Sequence, residues 1–183
     1  MKKIDKVIKL CKKVYPAHNY KCHLKPVVTI ALQLCKEFGA QRNIVEPAAY
    51  LHDIGRVRIP FAQKQHNLTG YFYSKFKLWI YRFPKEERKR ICYAILAHRS
   101  NSKYKPKSLE DEIIINADAI SHFEQYLYLL NIRYCSQGKN LNQTKKWLLN
   151  KLKRDYENKL TLPGIKERVK PFYERAKKVL IIK

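Results

Sequence analysis

Apolar residues recur at three- and four-residue intervals along most of the chain, and that spacing allows little besides helices. Ile4, Val7, Ile8, Leu10, Cys11 and Val14 share one face of a first segment, with lysines between them. His23, Val27, Ile30, Ala31, Leu34 and Phe38 do the same in a second. Only 5 glycines interrupt 183 residues, too few for the many tight turns of a β fold. The spacing predicts helices over about 2–15, 21–38, 43–54, 65–80, 84–99, 108–133, 141–159 and 164–181. A loop is expected between the third and fourth, through "RVRIPFAQK", because Pro60 cannot continue a helix. Ser108 with Asp111 three residues later has the form of a capping box. The aromatic run "GYFYSKFKLWIY" is read as the core-packed part of an amphipathic helix, with base stacking as the alternative.

No stretch reaches the roughly 18 apolar residues needed to span a bilayer. The basic start "MKKIDKVIKLCKKVYP" lacks an uninterrupted apolar run, so it is read as an amphipathic helix and not as a secretion signal. The five cysteines show no metal-binding spacing, and their odd number argues against a disulfide framework. They suggest reduced thiols and a cytoplasmic protein. With 39 Lys and Arg against 15 Asp and Glu, the net charge is +24, which attracts polyanions. The charge is spread along the whole chain, which leaves nucleic-acid binding as one of two readings, beside a lysine-rich composition without functional meaning.

Against this apolar pattern a few polar residues stand out. His23 lies on the apolar face of the second segment. His52 and Asp53 end the third, directly after Ala48, Ala49 and Leu51. His66 begins the fourth, His98 ends the next, and Asp118 sits within "IIINADAISHF". Buried carboxylates and imidazoles are costly without compensation. A divalent metal would compensate them together, and this N/O ligand set suits Fe, Mn, Co, Ni or Zn.

The ordered pattern H…HD…H…H…D resembles the HD-domain superfamily of metal-dependent phosphohydrolases. It is carried by "HLKPVVTIALQL" from His23, "AAYLHDIGR" around His52 and Asp53, "HNLTG" from His66, "AILAHRSN" around His98, and "NADAISHF" around Asp118. The resemblance covers about 18–130. It implies an all-α helical bundle of HD type; the chain is read as a single such domain over 1–183, with the metal-site core at about 18–130 and a basic helical C-terminal extension at about 139–183 in which the chain departs from the family. It implies that His23, His52, Asp53 and Asp118 are the core metal ligands, with Asp53 bridging. His66 and His98 match the two additional histidines of the dinuclear branch. That branch includes symmetrical diadenosine tetraphosphate hydrolases and cyclic-dinucleotide phosphodiesterases. The implied cofactors are two divalent ions, with Fe or Mn favoured over Mg, Co, Ni or Zn. The implied reaction is hydrolysis of a nucleotide or related phosphate ester or anhydride by a metal-activated hydroxide. Asp53 and Arg56 are the implied catalytic residues, Arg56 stabilising charge on the phosphoryl group. Arg58, Arg99 and Asn101 lie near the same expected mouth.

His18 and His122 match nothing in the pattern. His18 is read as a surface residue, and His122 as a neighbour of Asp118 at most. The basic C-terminal stretch is read as two helices packed on the core, with nucleic-acid guidance as the alternative. A different class of function is also open: a nucleic-acid-binding module on this scaffold, with a structural or lost metal site.

Overall fold

The computed structural model describes residues 2–99, 103–136, 138 and 140–181. Asn101 lies outside the described residues. The element order is α1 (Lys3–Val14), α2 (Ala17–Asn19), a π-helical turn (Tyr20–Leu24), α3 (Lys25–Glu37), α4 (Arg42–Leu51) and α5 (Ile54–Arg58). A 3-10 turn (Pro60–Gln65) leads into α6 (His66–Ile80) and α7 (Lys85–Ala97). Then come α8 (Leu109–Glu124), α9 (Tyr126–Asn131), a second π turn (Ile132–Ser136), α10 (Leu141–Asn158) and α11 (Ile165–Ile181). No strand occurs among the described residues.

α8 is the axis of the fold. Ile113, Ile114, Ile115, Ala117, Ala119 and Phe123 are buried on every side of it, because α3, α4, α7, α10 and α11 all pack against it. Ser108 caps its start: Ser108 Oγ accepts from Asp111 N at 3.3 Å, and Asp111 Oδ2 accepts from Ser108 N at 3.2 Å. α10 and α11 belong to the same core. Leu148, Leu152, Ile165, Val169, Ala176 and Leu180 are buried in it, and Phe123 meets the stacked rings of Tyr156 and Tyr173.

Three expectations need correction. The segment after Asp53 is not a loop: α5 and the 3-10 turn carry it almost to His66. Pro60 does stop α5, but its fixed φ suits the first position of a new turn. The long helix expected to 133 breaks at Gln125 (φ −110°, ψ 27°). The aromatic run of α6 is not core throughout. Gly70, Ser74 and Leu78 face inward, which turns Phe72, Phe76 and Trp79 outward, each more than half exposed.

α5 packs directly on the start of α6, and Gly55 makes this possible. A Cβ at Gly55 would lie 2.2 Å from His66 O and 2.7 Å from Gly70 N, so only hydrogen fits there.

Candidate metal centre

Six helical segments deliver the polar residues to one point. The π turn before α3 carries His23, and such turns are frequent at functional sites. α4 ends at His52, and Asp53 opens α5. His66 is the first residue of α6, His98 follows the last residue of α7, and Asp118 comes from the middle of α8.

Asp53 lies between two pairs of imidazoles. Its Oδ1 is 3.3 Å from His66 Nε2 and 3.5 Å from His98 Nε2. Its Oδ2 is 3.5 Å from His23 Nε2 and 3.8 Å from His52 Nε2. Within each pair the Nε2 atoms are 3.2 Å apart. Asp118 Oδ1 completes the first group, 3.7 Å from His23 Nε2 and 3.8 Å from His52 Nε2. Two trios result, His23–His52–Asp118 and Asp53–His66–His98, each with its ligand atoms within 4.8 Å of one another.

The hydrogen bonds behind the rings fix their protonation. His52 Nδ1 donates to Ala49 O (2.8 Å), His66 Nδ1 to Gln63 O (2.9 Å) and His98 Nδ1 to Ile95 O (2.6 Å). A carbonyl only accepts, so each proton sits on Nδ1 and each neutral ring turns an Nε2 lone pair inward. Ser121 Oγ gives its proton to Asp118 O, leaving its oxygen to accept from His23 Nδ1 at 3.5 Å. Burial keeps His52 and His66 neutral, pushing the first down to about 4 and the second to about 3. Facing lone pairs cannot bond each other, but a cation between them satisfies both. Metal–ligand bonds of about 2.1 Å at tetrahedral to octahedral angles place neighbouring donors about 3.0–3.4 Å apart. The histidine pairs at 3.2 Å have that spacing, and the carboxylate oxygens, at 3.3 and 3.5 Å in one trio and 3.7 and 3.8 Å in the other, lie close to it, so the residues present fit a metal in each trio.

The carboxylates are kept charged. Burial works against Asp53, but Arg56 and the surrounding imidazoles outweigh it and hold the carboxyl well below the usual range. Arg56 Nε donates to Asp53 Oδ1 at 2.8 Å, and Arg56 NH2 lies 3.2 Å from His66 Nε2. Asp118 is likewise buried, yet His122 and Lys159 hold it well below its ordinary value. Lys159 Nζ donates to Asp118 Oδ2 at 2.7 Å, and His122 Nε2 lies 3.3 Å from Asp118 Oδ1. Behind His122, Asp155 accepts from Nδ1 at 2.9 Å and from Lys151 Nζ at 3.1 Å.

All six residues expected as ligands thus meet at one centre, and Arg56 meets them there. Arg58 lies over the Tyr73 ring, and Arg99 NH1 donates to Lys64 O. His18 is exposed. The reading of the sequence missed Lys151, Asp155 and Lys159. One sign of them was present: Asp155 continues the apolar spacing of Leu148 and Leu152 in an otherwise basic helix.

A family model described as "HD domain" matches residues 20–122. Ribonuclease Y of Rubrobacter xylanophilus is 32% identical over 105 residues, which make up 56% of this chain and 18% of that protein. Ribonuclease Y of Chloroflexus aurantiacus is 33% identical over 104 residues, covering 57% and 18%. An uncharacterized protein of Clostridium beijerinckii is 35% identical over 100 residues, covering 54% and 60%. The chain thus spans less than two thirds of each of these relatives. No solved structure matches it.

Proposed function

The chain belongs to the HD domain family, and from that premise we propose that it hydrolyses phosphate esters of nucleotides or polynucleotides with two divalent ions. HD domains form a superfamily of metal-dependent phosphohydrolases. The observation that carries the proposal is the division of labour at Asp53, whose Oδ1 faces one histidine pair and whose Oδ2 faces the other. A carboxylate so placed would offer one oxygen to each of two ions.

His23, His52 and Asp118 would hold one ion, His66 and His98 the other, and Asp53 both. Bound there, the ions supply Lewis acidity toward a phosphoryl oxygen and a nucleophile from water at neutral pH. The chain's own residues supply the rest. The main-chain carbonyls of Ala49, Gln63 and Ile95 hold three ring protons on Nδ1, which leaves the Nε2 atoms unprotonated toward the centre. Lys159 occupies the second oxygen of Asp118 and leaves Oδ1 for the centre. Arg56 remains partly exposed while bonded to Asp53, so its outer N–H groups can meet a phosphate oxygen. The two relatives named ribonuclease Y support including polynucleotides among the substrates.

The test is metal-dependent release of p-nitrophenol from bis(p-nitrophenyl) phosphate, together with a nucleotide panel, for wild type and Asp53→Asn. The variant is expected to keep its helical circular dichroism and lose turnover by more than about 100-fold, beyond what a supporting group alone costs. Wild-type turnover that survives the substitution, or none at all after metal loading, contradicts the proposal. In the second case, tight oligonucleotide binding that persists in Asp53→Asn would favour a binding module, the reading that the net charge of +24 suggests.

A further inference from the structure

Although basic residues occur throughout the chain, residues 54–85 hold seven Lys and Arg and no Asp or Glu. This stretch starts at the metal centre and runs along α6. A line of cation and ring contacts runs along it from Arg58, which stands two residues from Arg56 at the centre. Arg56 bonds Asp53 at the centre, and two residues on, the Arg58 guanidinium lies 5.8 Å from the centroid of Tyr73. Lys77 Nζ lies 5.7 Å from the same ring and 5.8 Å from that of Phe76. The Phe76 ring stacks on Trp79 with centroids 6.2 Å apart and planes at 29°. Phe76 and Trp79 are 56% and 61% exposed, and Phe72, one turn before Phe76, is 60% exposed. From His66 to Trp79 the helix rises about 20 Å, the length of a few nucleotides.

We propose that this face of α6 is a track for single-stranded polynucleotide, on which bases stack against Phe72, Phe76 and Trp79 while Arg58, Lys75 and Lys77 neutralise the phosphates. The proposal rests on the phosphohydrolase reading for the direction of the track, since the line begins beside the point where a phosphodiester would be cut. Exposed rings alternating with cations suit a strand whose bases have free π faces. An anionic bilayer would also attract the lysines and accept the rings. It would not call for a line of contacts that starts beside the metal centre.

The experiment is fluorescence anisotropy of labelled 12-nucleotide single strands, as RNA and as DNA, in excess chelator to stop cleavage. Phe76→Ala/Trp79→Ala is expected to weaken binding at least about tenfold while leaving the thermal melt unchanged. Lys170→Gln/Lys178→Gln, which removes two exposed charges from α11, is expected to change it less than about twofold. Equal losses in both variants, or no loss in the aromatic one, overturn the proposal. So does an aromatic variant that keeps its oligonucleotide affinity but no longer sediments with phosphatidylserine vesicles, which would assign the face to a bilayer. Hydrolysis of bis(p-nitrophenyl) phosphate by the same proteins separates the two readings. Ring-dependent strand binding without hydrolysis leaves the track and removes the phosphohydrolase; hydrolysis without ring-dependent binding does the reverse.

Discussion

Lys159 Nζ donates to Asp118 Oδ2 at 2.7 Å, and both residues are buried. Lys159 follows α10, beyond the residues that the family model matches, so the C-terminal helices help to build the centre. Lys159→Met should leave the Asp118 carboxylate buried without its cation. Breaking such a pair costs about 3–5 kcal/mol, and losing a group that orients a ligand weakens metal binding about 10–100-fold. Urea titration of the chelator-treated variant checks the first figure, and competition with a metal indicator checks the second. If neither changes, Lys159 does not support Asp118.

Gly55 allows α5 to touch the first turn of α6. Gly55→Ala would press a methyl group against His66 O, Thr69 Oγ1 and Gly70 N, two of them main-chain atoms that cannot step aside alone. The expected cost is about 1–3 kcal/mol, as for overpacking elsewhere, together with displacement of His66. Denaturation midpoints check the stability, and metal content shows whether the trio around His66 is impaired before the trio around His23.

Stability of the metal-free protein should fall as pH drops from 7 to 5. Burial lowers His52 to about 4 and His66 to about 3, while the unfolded chain keeps both near 6.5. Below pH 6.5 the unfolded state therefore takes up protons that the folded state refuses, and stability is lost as pH falls toward the folded values. At pH 5 this amounts to about 2 kcal/mol per histidine. Asp53 and Asp118, both held low, add to the loss further down. Urea titrations in chelator at pH 7.5 and 5.0 give the difference directly, and equal stabilities would mean that these rings can protonate in place.

The helices were legible because their periodicity is local; His23, His52, Asp53, His98 and Asp118 stood out within or at the end of apolar stretches, whereas His66, after the polar run Gln63–Gln65, was picked out only by its place in the ordered H…HD…H…H…D pattern. His52–Asp53 and Asp118 are expensive where they stand, and that expense shows in the sequence. Lys159 and Lys151 could not be singled out the same way: they are two lysines among many, and what distinguishes them is their bonds to buried carboxylates, Lys159 to Asp118 and Lys151 to Asp155. The outward turn of Phe72, Phe76 and Trp79 was also hidden. Gly70, Ser74 and Leu78 form a narrow inward stripe of small and medium residues, and the larger rings, which propensity alone would bury, lie opposite it. The helical path from Asp53 to His66 was masked by Pro60, which ends one helix and begins another turn.

Counting metals decides whether Asp53 joins two metal sites. Elemental analysis of purified, anaerobically handled protein, after loading with Mn or Fe, should give about two ions per chain. His98→Ala, which removes one ligand from the second trio alone, should reduce the count to about one, and Asp53→Ala should reduce it below one. A wild-type count of one, unchanged in His98→Ala, would mean that Asp53 serves a single site.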